Sequence, residues 1–467
     1  MPSLAARGSV NEDHQRTEEN AVADKTMELQ ALSRETIEAL SAHFDEPDWF
    51  RQRRQEAWRL FLDTPWPDSA RDEEWRKTDV RPIIEVLAKA TPVTATPASV
   101  TTTEALPDKL QAILRGAEQR AGLLVRREGG LVFYDVDQDV VEQGVVFADL
   151  ETALREHGEV LQAHLSSVVQ ADEGRFQALH AAMMSGGVVI YVPDNVIVER
   201  PFQIVHWLDS AGVMGFPHVL VVTGRNAGVT VLDEYLSHDL DAPSFVGGAV
   251  ELVVGENASL TYLGIQNWGE GVYHLSTQRA RLHANAMLNW STGEFGGTLT
   301  RFETEVRLEG DGATAFLQGI YFPQGEQHIA NHTLQHHRST HTSSDLLYKG
   351  ALIGQAHTVY RGLIRVDRGA QQTDAYQANR NLILSPKAHA DSIPMLEIEA
   401  NDVRCTHGAT ISQLDEEELF YLMSRGIPRE LATRVIVDGF FAPVLDRIPL
   451  RQVRDRLRTV IHERLGY

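Results

Sequence analysis

One cysteine, Cys405, is all that the 467 residues contain. No disulfide can close within the chain, and this scarcity of thiols fits a reducing cytoplasm. Positive charge is also in short supply: 43 Lys and Arg stand against 65 Asp and Glu, for a net charge of −22. Such a surface repels phosphate backbones and anionic lipid headgroups, so neither nucleic acid nor membrane is expected as a partner. No apolar run reaches the length of about 18 residues that a spanning helix needs. The opening MPSLAARGSVNEDHQRTEEN lacks a signal peptide's apolar core and turns acidic at once. Residues 1–28 are expected to form a disordered tail.

The common signatures of catalysis and phosphate binding are missing too. There is no P-loop, no dinucleotide-binding glycine fingerprint, no G-x-S-x-G and no H-E-x-x-H. The glycines of GRNAGVT and GENASLT read as turn residues, not as phosphate cradles.

What is present falls into three parts. Ser33 can cap a helix with Ile37, Leu40 and Phe44 on one face, broken by Pro47, and DWFRQRRQEAWRLFLD forms a second helix before a TPWP turn. EEWRKTD (73–79) and a Thr/Ala/Pro-rich linker (91–103) follow, and 107–185 mixes short strands with helices. Residues 29–185 are therefore expected to be a helical and mixed N-terminal domain.

Near Gly186 helical periods vanish. Short Val, Ile, Leu and Thr strands alternate with Gly, Asn and Asp turns, and Gly-x-x-Ala units recur at 224–227, 255–258 and 310–313. A degenerate copy lies at 283–290, and the turn phase returns more faintly near Thr340, Gly369 and Asn401. A repeat of about 30 residues is the mark of a solenoid. Each unit holds strands without an intervening helix and without hairpin signals, which favours a β-helix over a sandwich. Residues 186–412 are expected to form that β-helix core. From 413 to 467 the chain is helical again. Asp415 suits an N-cap with Glu418 at the capping-box position, Gly426 ends that helix, and Pro428 opens the next. Leu450, Val453, Leu457, Val460 and Ile461 make the last helix's apolar stripe. The expected fold class is mainly β: a parallel β-helix core flanked by α-helical domains.

Three clusters could carry chemistry. In HIANHTLQHHRSTH (328–341), His328, His332 and His336 are four apart. On a helix they would align as metal ligands, but on a strand that spacing separates them by about 13 Å. They are expected to be polar residues on the outside of the coils. Asp367, Asp374 and Asp391 could line the acid groove of a β-helix carbohydrate enzyme, although nothing in their spacing singles them out. Cys405 and His407, two apart on a strand, point to one face about 6.5 Å apart. They could be a nucleophile with its base, half of a metal site, or a small buried thiol beside a solvated imidazole. A nucleophile pair needs a third group to orient the imidazole, and none shows. An iron–sulfur cluster usually takes four protein ligands, so one thiol would need the others from another chain.

The segment YQANRNLILSPKAHADSIPMLEIEANDVRCTHGATISQLDEEELFYLMSRGI (376–427), with SSDLLYKGAL (343–352), resembles the SufB/SufD family of iron–sulfur cluster assembly proteins. PWPDSARDEEWRKTD near the N-terminus is similar more loosely. The wording RCTHGAT, NRNLILS and EEWRKTD, and the lack of a second cysteine in the solenoid, place the chain on the SufD-like side. The resemblance implies a right-handed parallel β-helix and a non-enzymatic scaffold role, with a part in iron acquisition. It further implies pairing with a SufB-like paralogue through the β-helix and with a SufC-like ABC-type ATPase through the C-terminal helices. A homodimer in isolation is also implied. His407, and after it Cys405, match positions at the paralogue interface where a nascent cluster forms. No cluster or iron would be held stably by this chain alone; either would be transient at the partner interface. Leu414, Asp415, Leu419, Phe420, Tyr421, Arg425 and Gly426 fall in the region expected to meet the ATPase. A self-sufficient SufB-like scaffold is the alternative within the family, and the carbohydrate enzyme the alternative outside it.

Overall fold

A computed structural model describes residues 29, 31–93, 99–114 and 120–466. The expected tail, 1–28, and the middle of the 91–103 linker lie outside the described residues.

The Gly-x-x-Ala units turn out to be coil corners. Asn226, Asn257 and Asn285 each adopt left-handed backbone at φ 55°, which asparagine tolerates better than most residues. Their side chains stack from coil to coil: Asn226 Nδ2 donates to Asn195 Oδ1 at 2.8 Å, and Asn285 Nδ2 to Asn257 Oδ1 at 3.1 Å. Gly312 takes the left-handed position in the 310–313 unit, and His341 and Gln372 take it in the later coils, where the sequence repeat fades. The alanines that follow the corners, Ala227, Ala258, Ala286 and Ala313, turn inward and are buried.

Between corners the chain runs as two parallel sheets. The first holds Gly187–Val192, His218–Thr223, Ser244–Val254, Val272–Leu282, Leu299–Leu308, His328–His337, His357–Val366 and His389–Ile398. The second holds Phe202–Leu208, Gly228–Ser237, Ser259–Asn267, Met287–Glu294, Thr314–Tyr321, Ser343–Leu352, Thr373–Ile383 and Val403–Gln413. Each coil gives one strand to each sheet, which makes a parallel β-solenoid of eight coils. Its bore is filled by apolar side chains such as Val219, Val250, Leu260, Tyr262, Trp290 and Leu317.

The two ends of the solenoid differ. At the first coil, Gly122–Arg127 adds parallel to Phe202–Leu208 and Val146–Asp149 adds antiparallel to Gly187–Val192. Position 186 is therefore no break, because strands of the N-terminal region continue both sheets and cover that end. At the last coil, His389–Ile398 and Val403–Gln413 are the outermost strands of their sheets, each hydrogen-bonded on one side only.

Helices cover the outer faces. Ser33 caps Arg34–His43, accepting from Thr36 N at 3.2 Å. Ile37, Leu40, Phe61 and Ile83 pack with Met214, Phe216 and Phe245 of the first-sheet side. Val437, Phe441, Leu457 and Ile461 of the C-terminal helices pack with Ile265, Phe295, Ile320 and Leu382 of the second sheet. Each fully buried side chain of this kind contributes roughly 1.5–3 kcal/mol, so both layers are firmly attached. Segment 64–80 crosses the outer face of the first sheet like a strap. Trp75 stacks on the Arg301 guanidinium at 4.1 Å, Glu73 pairs with Arg361 at 3.3 Å, and Thr78 Oγ1 lies 2.9 Å from His328 Nε2.

Candidate functional site

Cys405 and His407 close two interior columns of the solenoid. Strand register aligns Val229, Leu260, Leu288, Ala315, Ser344, Ala375 and Cys405 in one column. The next column runs Val231, Tyr262, Trp290, Leu317, Leu346, Gln377 and His407. Strand alternation points both residues into the bore. No further coil covers them, so Cys405 is only half-buried and His407 is exposed.

The thiol rests against Ile364, Val366, Ala370, Ala375 and Ala400. Burial raises its pKa and the nearby Asp374 carboxylate adds to the shift, against a smaller opposing effect of a backbone hydrogen bond at Ala375. Cys405 is thus a protonated thiol at neutral pH, not an activated nucleophile. The His407 imidazole makes no hydrogen bond to a side chain or backbone group of the described residues, although its backbone belongs to the strand ladder. Asp374, whose charge acts on the thiol, is engaged by Arg404. With no orienting third group beside them, the two side chains do not form a nucleophile–base pair, and a metal bound there would need further ligands.

Beneath them the bore changes character. Gln377 Nε2 donates to Gly362 O at 3.1 Å, Asn379 Nδ2 to Tyr321 Oη at 2.7 Å, and Tyr321 Oη to Asn381 Oδ1 at 2.6 Å. Ser392 Oγ donates to Asn379 Oδ1 at 2.8 Å. Buried amides and hydroxyls need partners, and here each finds one in this polar plug. On the His407 side the apolar filling therefore gives way to polar groups before the open end, whereas the Cys405 side stays apolar.

The seven residues expected to meet an ATPase separate into different roles. Asp415 caps Glu416–Ser424, accepting from Glu417 N at 2.8 Å, and Gly426 ends the helix at φ 84°. Leu419 is fully buried and Leu414 is half-buried against the C-terminal cluster, so these two anchor the helix. Phe420 and Tyr421 are exposed, at 72% and 56%, and Arg425 donates to Tyr421 Oη at 2.9 Å. With Met423, Leu431 and Val435, also exposed, they give this helical end an apolar outer surface.

The histidine stretch is less bland than its strand spacing suggested. His328, His332 and His336 each meet a different group across the coils. His332 Nε2 lies 2.7 Å from the Arg301 guanidinium, and His336 Nε2 2.9 Å from Asp367. His328 is stacked in register with His357, and His357 with His389. Nitrogen to nitrogen, His328 Nδ1 and His357 Nδ1 are 3.1 Å apart. His357 Nε2 lies 2.9 Å, and His389 Nε2 3.5 Å, from Asp391 Oδ2. Spacing along one strand could not reveal this cluster, because its members come from neighbouring coils. The usable signal was a histidine opening each of three consecutive first-sheet strands. Asp367, Asp374 and Asp391 do not share a groove: they pair separately with His336, with Arg404, and with His357 and Lys77.

Comparison with known proteins gives this architecture a family. The family model described as SUF system FeS cluster assembly, SufBD core domain, matches residues 206–440, and the SufBD protein N-terminal region matches 130–204. The chain belongs to the SufBD family. The iron–sulfur cluster assembly protein SufD of Bacillus subtilis is 31% identical over 440 residues, covering 93% of this chain and 98% of that protein. SufBD family proteins of Staphylococcus haemolyticus and Staphylococcus epidermidis are each 29% identical over 442 residues, 93% of both chains. The SufBD core match takes in the open coil, both edge strands and the helix Glu416–Ser424. The strap at 64–80 lies outside both family models but inside the stretch of similarity expected from coverage of this extent.

Proposed function

We propose that this chain is the SufD-like, non-enzymatic subunit of an iron–sulfur cluster assembly complex, and that its metal chemistry is completed across an interface. The observation that carries this reading is the unfinished last coil. Two edge strands, ten and eleven residues long, present unpaired backbone groups around an inward-facing Cys405 and His407. An open edge of this length is a template for another strand. A SufB-like solenoid that continues both sheets would cover the columns, dehydrate the two donors and add the ligands they lack. His407, exposed to solvent, is the first donor to reach an incoming iron or nascent cluster; Cys405, half-buried, must lose its proton before it binds. The cluster is cargo held transiently at that junction.

The exposed Phe420 and Tyr421 surface is the proposed seat of a SufC-like ATPase. No helix among the described residues is long and apolar enough to cross a membrane, in keeping with a site approached from water. Co-expression with a SufB-like paralogue and an ABC-type ATPase, followed by cluster reconstitution, tests the proposal. Capture of both partners with His407-dependent cluster yield supports it; failure of either partner to associate overturns it. Alone, the same edges can pair with a second copy, so the isolated chain is expected to be a dimer that the paralogue dissolves.

A further inference from the structure

We propose that His357, His389 and Asp391 form a binding site for a first-row divalent cation such as Zn²⁺ or Fe²⁺, with Lys77 of the strap as its competing internal cation. This site is independent of the proposed role of Cys405 and His407. His389 opens its strand, whereas Cys405 follows the turn at that strand's far end, which separates the two places by roughly 20 Å along the sheet.

The ligand atoms of the three residues lie within 4.8 Å of one another. Metal bonds of about 2.1 Å at tetrahedral or octahedral angles put ligand atoms about 3.0–3.4 Å apart. The observed 2.9 Å from His357 Nε2 and 3.5 Å from His389 Nε2 to Asp391 Oδ2 bracket that spacing. Two imidazoles and one carboxylate are borderline ligands, suited to first-row transition ions and not to Mg²⁺ or Ca²⁺. His389 is 66% exposed and leaves the outer side of the site open to water or a further ligand.

The site also has a supporting layer. Asp391 is an acceptor, so His357 Nε2 donates to it, His357 Nδ1 accepts from His328 Nδ1–H, and His328 Nε2 accepts from the Thr78 hydroxyl. A cation on His357 Nε2 reverses this chain. His357 then carries its proton on Nδ1 and donates to His328, which donates from Nε2 to Thr78 Oγ1. Each ring keeps one proton throughout. A ligating histidine whose second nitrogen donates to a fixed acceptor is the usual arrangement at metal centres. Lys77 Nζ sits 3.1 Å from the other carboxylate oxygen, Asp391 Oδ1, and places a positive charge where an ion would add its own.

Zn²⁺ titrated into tag-free full-length protein, followed by calorimetry, tests the site. One ion per chain is expected, with affinity at least tenfold weaker in His389→Ala and Asp391→Asn. His389→Ala alters an exposed side chain, so its fold is secure if Asp391→Asn proves unstable. Lys77→Met should tighten binding several-fold, and Cys405→Ser with His407→Ala should leave it unchanged. Absence of saturable binding, or binding that survives His389→Ala, overturns the proposal. Binding lost with Cys405 and His407 would place the ion at the open coil instead and overturn it equally. Unchanged affinity in Lys77→Met would overturn the competing role of the ammonium.

Discussion

His407 is the rung above Gln377 in an interior column, and the two differ only in what lies over them: Gln377 is fully buried, His407 is open. An inward position without a lid has little packing to lose. His407→Ala is therefore expected to leave folding and subunit assembly intact while lowering cluster yield roughly tenfold or more in the reconstituted complex, the scale of losing one ligand. Gln377→Ala is expected to do the opposite: it strips the Gly362 carbonyl of its donor and destabilises the end coil. Unchanged cluster yield in His407→Ala would reduce the Cys405–His407 pair to packing.

Phe420 is the most exposed large apolar side chain of the described residues, and it stands on a helix anchored from behind by Leu419. Phe420→Ala should therefore leave the urea midpoint unchanged and weaken ATPase binding by about 2 kcal/mol, roughly 30-fold in Kd, as for a central interface aromatic. Asp415→Ala should weaken binding indirectly, since losing the cap costs the helix about 1 kcal/mol. Calorimetric titration of the ATPase into each variant checks both. Equal affinity for Phe420→Ala and wild type would move the docking surface elsewhere.

Much of this organisation was legible before the fold was seen, and the reasons are physical. A coil must turn back about every 30 residues, so its corners recur in sequence, and Gly or Asn marks them wherever the backbone goes left-handed. Asp415, Gly426 and the stripe Val453, Leu457 and Ile461 follow from local capping and helical period alone. Cys405 and His407 were placed on one face by the two-residue strand period. The failures were all of long range. Thr78 meets His328 across 250 residues, and His328 meets His357 across a whole coil. Neither contact has a signature along the chain, so the histidine cluster looked like surface. The inward turn of Leu414 and Leu419 depends on how the C-terminal helices pack against one another, which local pattern does not state.

Arg301 ties the strap to the solenoid. Its guanidinium reaches Glu303 Oε1 at 2.8 Å, the Glu74 carbonyl at 3.1 Å and His332 Nε2 at 2.7 Å, and lies under the Trp75 ring. Arg301→Ala is expected to cost about 3 kcal/mol, because Glu303 loses a close countercharge and the strap its anchor. Limited proteolysis should then cut within 64–80 well before the solenoid. A strap as resistant as in the wild type would show that the apolar contacts around Trp75 suffice without the guanidinium.

Glu294 supplies the clearest pH dependence. It faces into the bore, where burial raises its pKa to about 8 from an ordinary 4.5, against the pull of hydrogen bonds from Asn331 and Thr292. The folded pKa thus lies above the unfolded one, so between pH 4.5 and 8 the folded state binds more protons. Its stability must fall as pH rises through that window, by about 1.4 kcal/mol per pH unit for this one group. Below pH 4.5 the group is protonated in both states and costs nothing. Glu294→Gln keeps the shape and the Asn331 contact while removing the titration. Urea unfolding at pH 5, 6.5 and 8 should therefore show the variant gaining on the wild type as pH rises, by several kcal/mol at pH 8. All other titrating groups cancel in that difference. A wild-type-to-variant gap that stays constant across the three pH values would mean that Glu294 is ionised in the folded chain, with a countercharge inside the bore.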